Sequence, residues 1–179
     1  MEVLARIYTR TGDEGDTYCA ALGTRVPKDH VLIEFMGTLD EANSLLGIAA
    51  ANCEGEVKGS LEDLQRLLFR VGFSLGGFAD ISEADVESLE EIVDAYMAGV
   101  ELKGFVIPGG DMCSSYIHLA RTVVRRAERR LVSAYRSGVS VKAGEDKLKL
   151  AIKVLNRMSD ALYAMAVGVQ ARKGGLKYL

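Results

Sequence analysis

The chain has 179 residues, of which 49% are hydrophobic and 26% are charged, and its formal net charge is −3. A chain of this length can bury a full core, and we expect one domain over residues 1–179. The small negative charge does not favour non-specific binding to nucleic acid or to membranes, so neither is expected as a partner.

Cysteine use and hydropathy bear on the compartment. The three cysteines, Cys19, Cys53 and Cys113, lie far apart and lack the close pairs that zinc and redox sites use. No charged-then-apolar signal peptide begins the sequence, and the longest apolar run near its end, ALYAMAVGV, is too short to span a bilayer. The sequence therefore favours a soluble protein in a reducing cytoplasm.

A polar segment with two glycines, YTRTGDEGDT, precedes the helical part of the chain. Gly12 and Gly15 permit positive φ angles, and Thr9, Thr11 and Thr17 supply hydroxyl donors, a combination that can form an anion cradle. The segment is not a P-loop, because no Gly-Lys-Ser/Thr follows, and it does not open a helix as a dinucleotide fingerprint does. Taken alone, these residues fit an ordinary loop better than a binding site.

The first helix is predicted from a capping pattern. Thr38 and Glu41 have the Thr-x-x-Glu spacing of a capping box just before apolar residues at helical spacing. The helix is therefore expected to begin near Thr38. Asp40 would then lie in its first turn, where the helix macrodipole alone could explain a carboxylate.

Four further helices follow from the hydrophobic periodicity. The second is predicted from about Ser60, and Ser82 with Asp85 gives a capping box for the third. The fourth and fifth carry regular apolar stripes, which are typical of helices that pack nearly parallel. We predict an all-α, up-and-down bundle of about five helices over residues 31–170, preceded by a short extended arm over residues 1–30.

The fourth helix, SSYIHLARTVVRRAERRLV, has the most informative polar residues. At 100° per residue, Arg121, Arg125 and Glu128 lie within about 60° of one another, whereas Arg126 and Arg130 point further round. A solvated face with ion pairs to neighbouring helices is the commoner explanation. A phosphate site is the sharpest alternative, because the planar guanidinium matches phosphate geometry.

Other polar and aromatic residues leave alternatives open. Asn156 and Asp160 lie one turn apart beside an apolar seam, where they could bond another helix or contact a ligand. His118 has no second histidine or cysteine at ligand spacing, so a structural role is expected rather than metal binding. Phe105, in the GFVIPGG segment between the third and fourth helices, could simply plug the end of the bundle.

Six segments occur in a characteristic order and spacing: YTRTGDEGDT, RVPKD, GTLDEANSLLG, FVIPGG, HLARTVVRRAERR and LNRMSDALYAMA. Together they closely resemble the PduO-type ATP:cob(I)alamin adenosyltransferases, over about residues 6–170. The departures are minor. Asp16 stands where a small or apolar residue is more usual, and Ala42 replaces a commoner leucine, but neither removes a group expected to touch substrate.

The resemblance implies a reaction in which cob(I)alamin attacks the ribose 5′ carbon of ATP, giving adenosylcobalamin and inorganic triphosphate. Such chemistry would explain why the sequence offers no activated serine or cysteine and no paired acid and base, since reduced cobalt is itself the nucleophile. ATP would bring Mg²⁺, held mainly by its phosphates, and no protein ligand is assigned to the metal.

The resemblance also implies roles for particular residues. Arg125 would stabilise the charge on the departing triphosphate, and Phe105 matches the aromatic on the lower face of the corrin. The family is homotrimeric with active sites between subunits, and Asp40 and Arg121 match a salt bridge across that interface. The implied ATP-binding residues are Thr9, Arg10, Gly12, Asp13, Thr17, Lys28, Arg125, Arg126, Glu128, Arg129 and Asn156.

Two readings from other classes remain beside the enzyme. A non-catalytic cobalamin-binding scaffold would need the corrin pocket but not the threonine and arginine cradle. A nucleotide-sensing module would keep the cradle but could lose Phe105. Because both sets of residues are present, the enzyme is favoured. A cobalamin reductase and a cobalamin-dependent enzyme are its expected further partners.

Overall fold

The computed structural model describes residues 8–173 and 175–179. Within them a β-hairpin is followed by a bundle of five helices, which confirms the predicted all-α class and turns the extended arm into a small antiparallel sheet. The elements are β1 (Asp16–Cys19), β2 (Thr24–Pro27), α1 (Val31–Asn52), α2 (Gly55–Ser74), α3 (Glu83–Met97), α4 (Met112–Arg136) and α5 (Glu145–Arg172). In the part of the chain so described, no helix is long and apolar enough to cross a membrane.

The first helix begins at Val31, so the prediction of a start near Thr38 was wrong. His30 is the N-cap, and its Nδ1 accepts a hydrogen bond from the backbone N–H of Leu32 at 3.2 Å. Thr38 lies inside the helix, where its hydroxyl donates to the carbonyl of Glu34 at 2.7 Å. Because a threonine hydroxyl can bond one turn back in this way, the capping pattern also occurs within helices. Asp40 is therefore well inside α1, and the macrodipole does not explain it.

The predicted start is confirmed for α3 but not for α2. At α3 both bonds of the predicted box are present, and the Asp85 carboxylate accepts from the backbone N–H of Ser82 at 2.8 Å. In contrast, α2 begins at Gly55 rather than near Ser60. Gly55 has a φ of 58°, which glycine adopts without the steric cost of a Cβ.

Polar contacts between helices show how α4 packs against α1 and α5. Glu34 pairs with Arg130 at 2.7 Å and Glu41 pairs with Arg126, so α1 and α4 run antiparallel. Asn156 of α5 bonds Glu128 of α4 at 3.0 Å, near the middle of both helices. The apolar stripes predicted for these two helices are buried and form the centre of the core: Ile117, Ala120, Val124, Ala127, Leu131 and Ala134 on α4, and Leu148, Ala151, Leu155, Met158, Leu162 and Met165 on α5.

The β-hairpin is fastened to one end of the bundle. Ala21, in its turn, is buried, and its carbonyl accepts from the N–H of Lys142 at 2.8 Å. Lys142 belongs to the loop between α4 and α5. The next residue in this loop is Ala143, whose N–H donates to the carbonyl of Leu75 at 3.2 Å. The segment before β1 therefore lies at the end of the bundle where α4 stops and α1 begins.

A disulfide joins Cys53, the C-cap residue of α1, to Cys113 in the first turn of α4. The two cysteines are 60 positions apart, so sequence spacing gave no sign of the pair; the antiparallel packing of α1 and α4 brings them together. Cys19 is free and buried. Disulfides are rare in a reducing cytoplasm, so this bond weighs against the expected compartment.

We expect protein purified without reductant and then denatured to have one free thiol per chain, from Cys19, when titrated with a thiol reagent. Closing a loop of 60 residues restricts the unfolded chain. The double variant Cys53→Ser with Cys113→Ser should therefore lose about 2–4 kcal/mol of unfolding free energy in urea. Cys19→Ser is the control, with no free thiol and an intact disulfide. Three free thiols in the unreduced wild type would contradict this pairing.

Candidate active site

The polar segment before β1 forms a tight loop. The hydroxyls of Thr9 and Thr11 lie 2.9 Å apart, and the N–H of Gly15 donates to the carbonyl of Gly12 at 3.3 Å. Arg10 has a φ of 60°, a conformation that is uncommon outside glycine and tends to mark functional segments. The side chains of Thr9 and Arg10 are exposed, so the loop presents them to solvent.

Lys28 lies against this loop, as the predicted cradle requires. Its backbone N–H donates to the carbonyl of Gly15 at 2.8 Å, and a Cβ added at Gly12 would lie only 3.2 Å from its Nζ. The absence of a side chain at Gly12 therefore leaves the space that the lysine amine occupies. Asp13 is exposed on the same loop, and Thr17, half-buried, follows on β1.

Arg25, which sequence reasoning missed, organises the loop from β2. Its Nη2 donates to the carbonyl of Thr11 at 2.5 Å and to the carbonyl of Asp16 at 3.0 Å. One guanidinium thus fastens the two ends of the turn to the hairpin. The available signal was the arginine that opens the RVPKD segment, but only the hairpin register, which pairs Tyr18 with Arg25, reveals its position.

The arginines of α4 divide between two flanks. Arg126 and Arg130 face α1, where Glu41 and Glu34 pair with them. For these two arginines the ion-pair explanation of the sequence pattern is confirmed. Arg126 was also predicted to contact ATP. That role stays a prediction, and in this structure the Arg126 side chain forms an ion pair with Glu41.

The other flank of α4 faces α5 and has few acidic partners. Glu128 accepts from Asn156, and Arg129 donates to the backbone carbonyl of Arg125 at 3.3 Å. Over the described residues, neither Arg121 nor Arg125 takes part in an ion pair. Burial and, secondarily, the positive charge of Arg125 lower the pKa of Arg121. The Asp160 carboxylate acts in the opposite direction but is outweighed. Two neighbouring cations that form no ion pair are suited to binding an anion.

Phe105 is 83% exposed and therefore does not plug the bundle end. Its loop is held by the last residues of the chain, since the N–H of Leu179 donates to the carbonyl of Phe105 at 3.0 Å. The N–H of Ile107 in turn donates to the carbonyl of Lys177 at 2.8 Å. An aromatic ring held outward in this way is available to contact a ligand.

Asp40 and Arg121 lie on different faces of the molecule. Asp40 borders an apolar groove of about 200 Å³ between α1 and α2, whereas Arg121 lies on the α5 side of α4 with its guanidinium 5.1 Å from the Tyr163 ring centre. No ion pair joins Asp40 to Arg121 within residues 8–173 and 175–179. The groove is lined by Met36, Leu39, Asp40, Asn43, Leu68, Phe69, Gly72 and Phe73.

Comparison with known proteins decides the family. The family model for cobalamin adenosyltransferase matches residues 7–169. This chain belongs to that family. A corrinoid adenosyltransferase of Bacillus subtilis (strain 168) is 38% identical over 180 residues, with 94% of this chain and 89% of the relative covered. The corrinoid adenosyltransferase PduO of Salmonella typhimurium is 39% identical over 170 residues, which cover 89% of this chain and 48% of that protein.

Solved structures of PduO-type ATP:corrinoid adenosyltransferases have the same fold. A phenylalanine-to-alanine variant from Lactobacillus reuteri, complexed with cobalamin and ATP, matches with a TM-score of 0.85 and 28% identity, covering 97% of this chain and 99% of that one. An arginine-to-lysine variant from the same organism, complexed with ATP, gives a TM-score of 0.82 and 30% identity, with 97% and 100% covered.

Arg25→Gln tests the loop. Loss of the bonds to backbone carbonyls should raise the KM for ATP about threefold to tenfold, because a hydrogen bond at an exposed site has a net contribution of about 0.5–1.5 kcal/mol. The melting temperature should stay within a few degrees, since Arg25 is exposed. Arg66→Gln, an exposed arginine paired only with Asp63 one turn away, is the matched control. An unchanged KM for ATP in Arg25→Gln would contradict the assigned role.

Proposed function

We propose that this chain transfers the 5′-deoxyadenosyl group of ATP to the cobalt of cob(I)alamin, giving adenosylcobalamin and inorganic triphosphate. The observation that carries the proposal is the α5 flank of α4, where Arg121 and Arg125 lie side by side and neither forms an ion pair among the described residues. The nearby Asp160 carboxylate raises the pKa of Arg121, but burial and the charge of Arg125 outweigh it. Relatives that are named corrinoid adenosyltransferases cover nearly the whole chain, which supports the same reaction here.

The reaction needs no protein nucleophile. Cob(I) supplies the electron pair of the new cobalt–carbon bond, and the C5′–oxygen bond breaks as that oxygen leaves with the triphosphate. The protein must therefore align the 5′ carbon with cobalt and stabilise the charge on the leaving group. Arg125 is assigned the second task, because it is exposed on the proposed anion-binding flank and forms no ion pair among the described residues.

The other predicted ATP residues fall into two groups under this proposal. Thr9, Arg10, Gly12 and Lys28 form the loop that would wrap the nucleotide. Glu128, Arg129 and Asn156 would contact it from the helices, with Asn156 oriented by Glu128. Asp13 and Thr17 complete the loop side.

Mg²⁺ is expected to arrive with ATP. Among the described residues, no group of three or more His, Cys, Asp or Glu side chains could hold a metal ion. We propose that the ion is bound mainly by phosphate oxygens and water, which Mg²⁺ prefers in nucleotide sites. Its chemical contribution would be to neutralise charge on the triphosphate.

We also propose a homotrimer with the sites between subunits. Asp40 lies by an apolar groove whose exposed Phe69 and Phe73 rings are 6.1 Å apart, and Arg121 lies on another face. A contact between two different faces of the same chain is heterologous and can close into a ring. In addition, no hydrogen bond or ion pair joins residues 9–17 to α4 over the described part of the chain. Both observations favour a site completed by a second chain.

We propose a cytoplasmic setting. A cytoplasmic location would give access to ATP and to a cobalamin reductase, and a cobalamin-dependent enzyme would consume the product.

Anaerobic incubation with ATP, Mg²⁺ and chemically reduced cobalamin tests the function. The visible spectrum should change to that of adenosylcobalamin, with one triphosphate released per cobalamin converted. Binding of either ligand without this conversion would instead support a non-catalytic cobalamin- or nucleotide-binding module.

Arg125→Ala should fold normally and lose activity. Loss of charge-assisted hydrogen bonds worth about 1.5–3 kcal/mol predicts about a tenfold to hundredfold fall in kcat/KM. Arg136→Ala, at the exposed end of the same helix, is the control and should leave the kinetics unchanged. If Arg125→Ala had wild-type kinetics, this arginine would be only a surface charge.

The Asp40–Arg121 pair can be tested by a double-mutant cycle. Asp40→Ala and Arg121→Ala should each weaken the trimer and ATP binding, and the double variant should be less impaired than the sum of the two, because removing one partner leaves the other charge uncompensated. Molecular mass in solution and the KM for ATP are the readouts. The Asp63 and Arg66 pair, which is exposed and within one helix, provides the control cycle. An active monomer or strictly additive effects would refute the shared site.

Phe105→Ala should impair reduction more than adenosyl transfer. A ring on the lower face of the corrin would exclude water and the nucleotide-tail base, leaving Co(II) with few ligands and easier to reduce. The variant should lose most activity when a reductant must act on bound Co(II), and least when cob(I)alamin is supplied ready-made. It should also lose the visible signature of four-coordinate Co(II) in the presence of ATP. Retention of that signature would refute this role.

A further inference from the structure

An open cavity of about 260 Å³ lies beside the start of α4, next to the loop that holds Phe105. It is several times larger than the roughly 30 Å³ that one water occupies in the liquid. Its lining is mainly apolar with a few polar groups: Pro108, Gly109, Ser115, His118, Leu119, Arg121 and Thr122.

His118 is the unusual member of this lining. It is only 4% exposed, and its Nε2 has no hydrogen-bond partner among the described residues. A buried polar atom without a partner costs folding free energy, so a histidine that served only the core would be poorly placed here. The ring is nevertheless held in a fixed orientation, with its centre 6.3 Å from that of Tyr163 in an edge-on arrangement.

The imidazole is expected to be neutral. Burial and, secondarily, the positive charge of Arg121 lower the pKa of His118 below its ordinary value, so the ring carries no charge at neutral pH. A neutral imidazole presents either a donor or an acceptor at Nε2, depending on its tautomer. A primary amide can form a hydrogen bond with either tautomer, since its NH₂ donates and its carbonyl accepts. A carboxylate or phosphate only accepts.

The position of His118 on α4 agrees with this chemistry. At 100° per residue, His118, Arg121 and Arg125 fall within about 60° of one another, so all three share one flank. Along the helix axis His118 lies about 10 Å from Arg125, at 1.5 Å per residue, and on the side toward the Phe105 loop. A corrin placed between Phe105 and the phosphate-binding arginine would therefore pass this cavity.

We infer that His118 positions the corrin by hydrogen bonding, through Nε2, to one of the neutral amide arms on its rim, which enters the cavity beside Pro108 and Gly109. The inference rests on the proposed function and adds to it a specificity-determining residue. Arg125 recognises the triphosphate, whereas His118 recognises the amidated edge of the tetrapyrrole.

Two substitutions separate this role from a structural one. His118→Gln keeps an amide near the position of Nε2, and His118→Leu fills the space without a polar atom. We expect His118→Leu to raise the KM for cob(I)alamin about threefold to tenfold, because one hydrogen bond is lost. His118→Gln should keep this KM near the wild-type value. The KM for ATP and kcat should change less than about twofold. Ser133→Ala is the control on the same helix, because Ser133 lies outside the cavity lining and its hydroxyl already donates to the Arg129 carbonyl at 3.0 Å.

A second readout uses cobalamins in which one propionamide arm, different in each derivative, has been hydrolysed to a carboxylate. The wild type should bind one of these Co(II) derivatives markedly more weakly than the others in a spectroscopic titration, and His118→Leu should lose that discrimination. Equal binding of all derivatives by the wild type, or an unchanged cobalamin KM in His118→Leu, would overturn the inference. The proposed function would survive either result, and it fails only if the wild type forms no adenosylcobalamin.

Discussion

The packing of α4 between α1 and α5 determines where the charged groups of this molecule can lie. Alanines at Ala120, Ala127 and Ala134 are fully buried, so the helices approach closely and long side chains are confined to the two flanks. On the α1 flank, Glu34 and Glu41 pair with arginines. On the α5 flank, Arg121 and Arg125 form no ion pair among the described residues, and the Asp160 carboxylate offsets the charge of Arg121 only in part. The core thus leaves a cationic surface on one side of a single helix.

The candidate site extends along that helix rather than filling an enclosed cavity. Within one chain, the Lys142–Ala21 bond holds the hairpin at the end of the bundle where α4 stops, and residues 175–179 hold the Phe105 loop at the other end. Met112 and Arg125 are about 20 Å apart along α4, at 1.5 Å per residue, a span suited to a nucleotide and a tetrapyrrole placed side by side. Rigid helices then supply the orientation on which displacement at the 5′ carbon depends.

Strong periodicity made α4 and α5 predictable from sequence, because stripes such as Ile117 to Ala134 leave one face that can be buried. The start of α1 was not predictable in this way. Thr38 belongs to a sequence pattern typical of a helix N-terminus, but its hydroxyl bonds the Glu34 carbonyl inside the helix. Long-range proximity was also out of reach: the Cys53–Cys113 bond and the contacts of Arg25 depend on helix packing and hairpin register. The proposed anion site was predictable in part, because helical spacing separated the two arginine flanks but could not show which flank would form ion pairs with α1.

Complementation between two inactive variants tests the shared site most directly. Arg125→Ala and Lys28→Ala chains would be co-expressed, and mixed oligomers isolated by two different affinity tags. If the loop and the arginine helix of one site come from different chains, each mixed trimer has one intact site. Random assembly should then restore about a quarter of wild-type activity before isolation. If one chain supplied both elements, the mixture would be no more active than the separate variants, and the shared-site account would be contradicted.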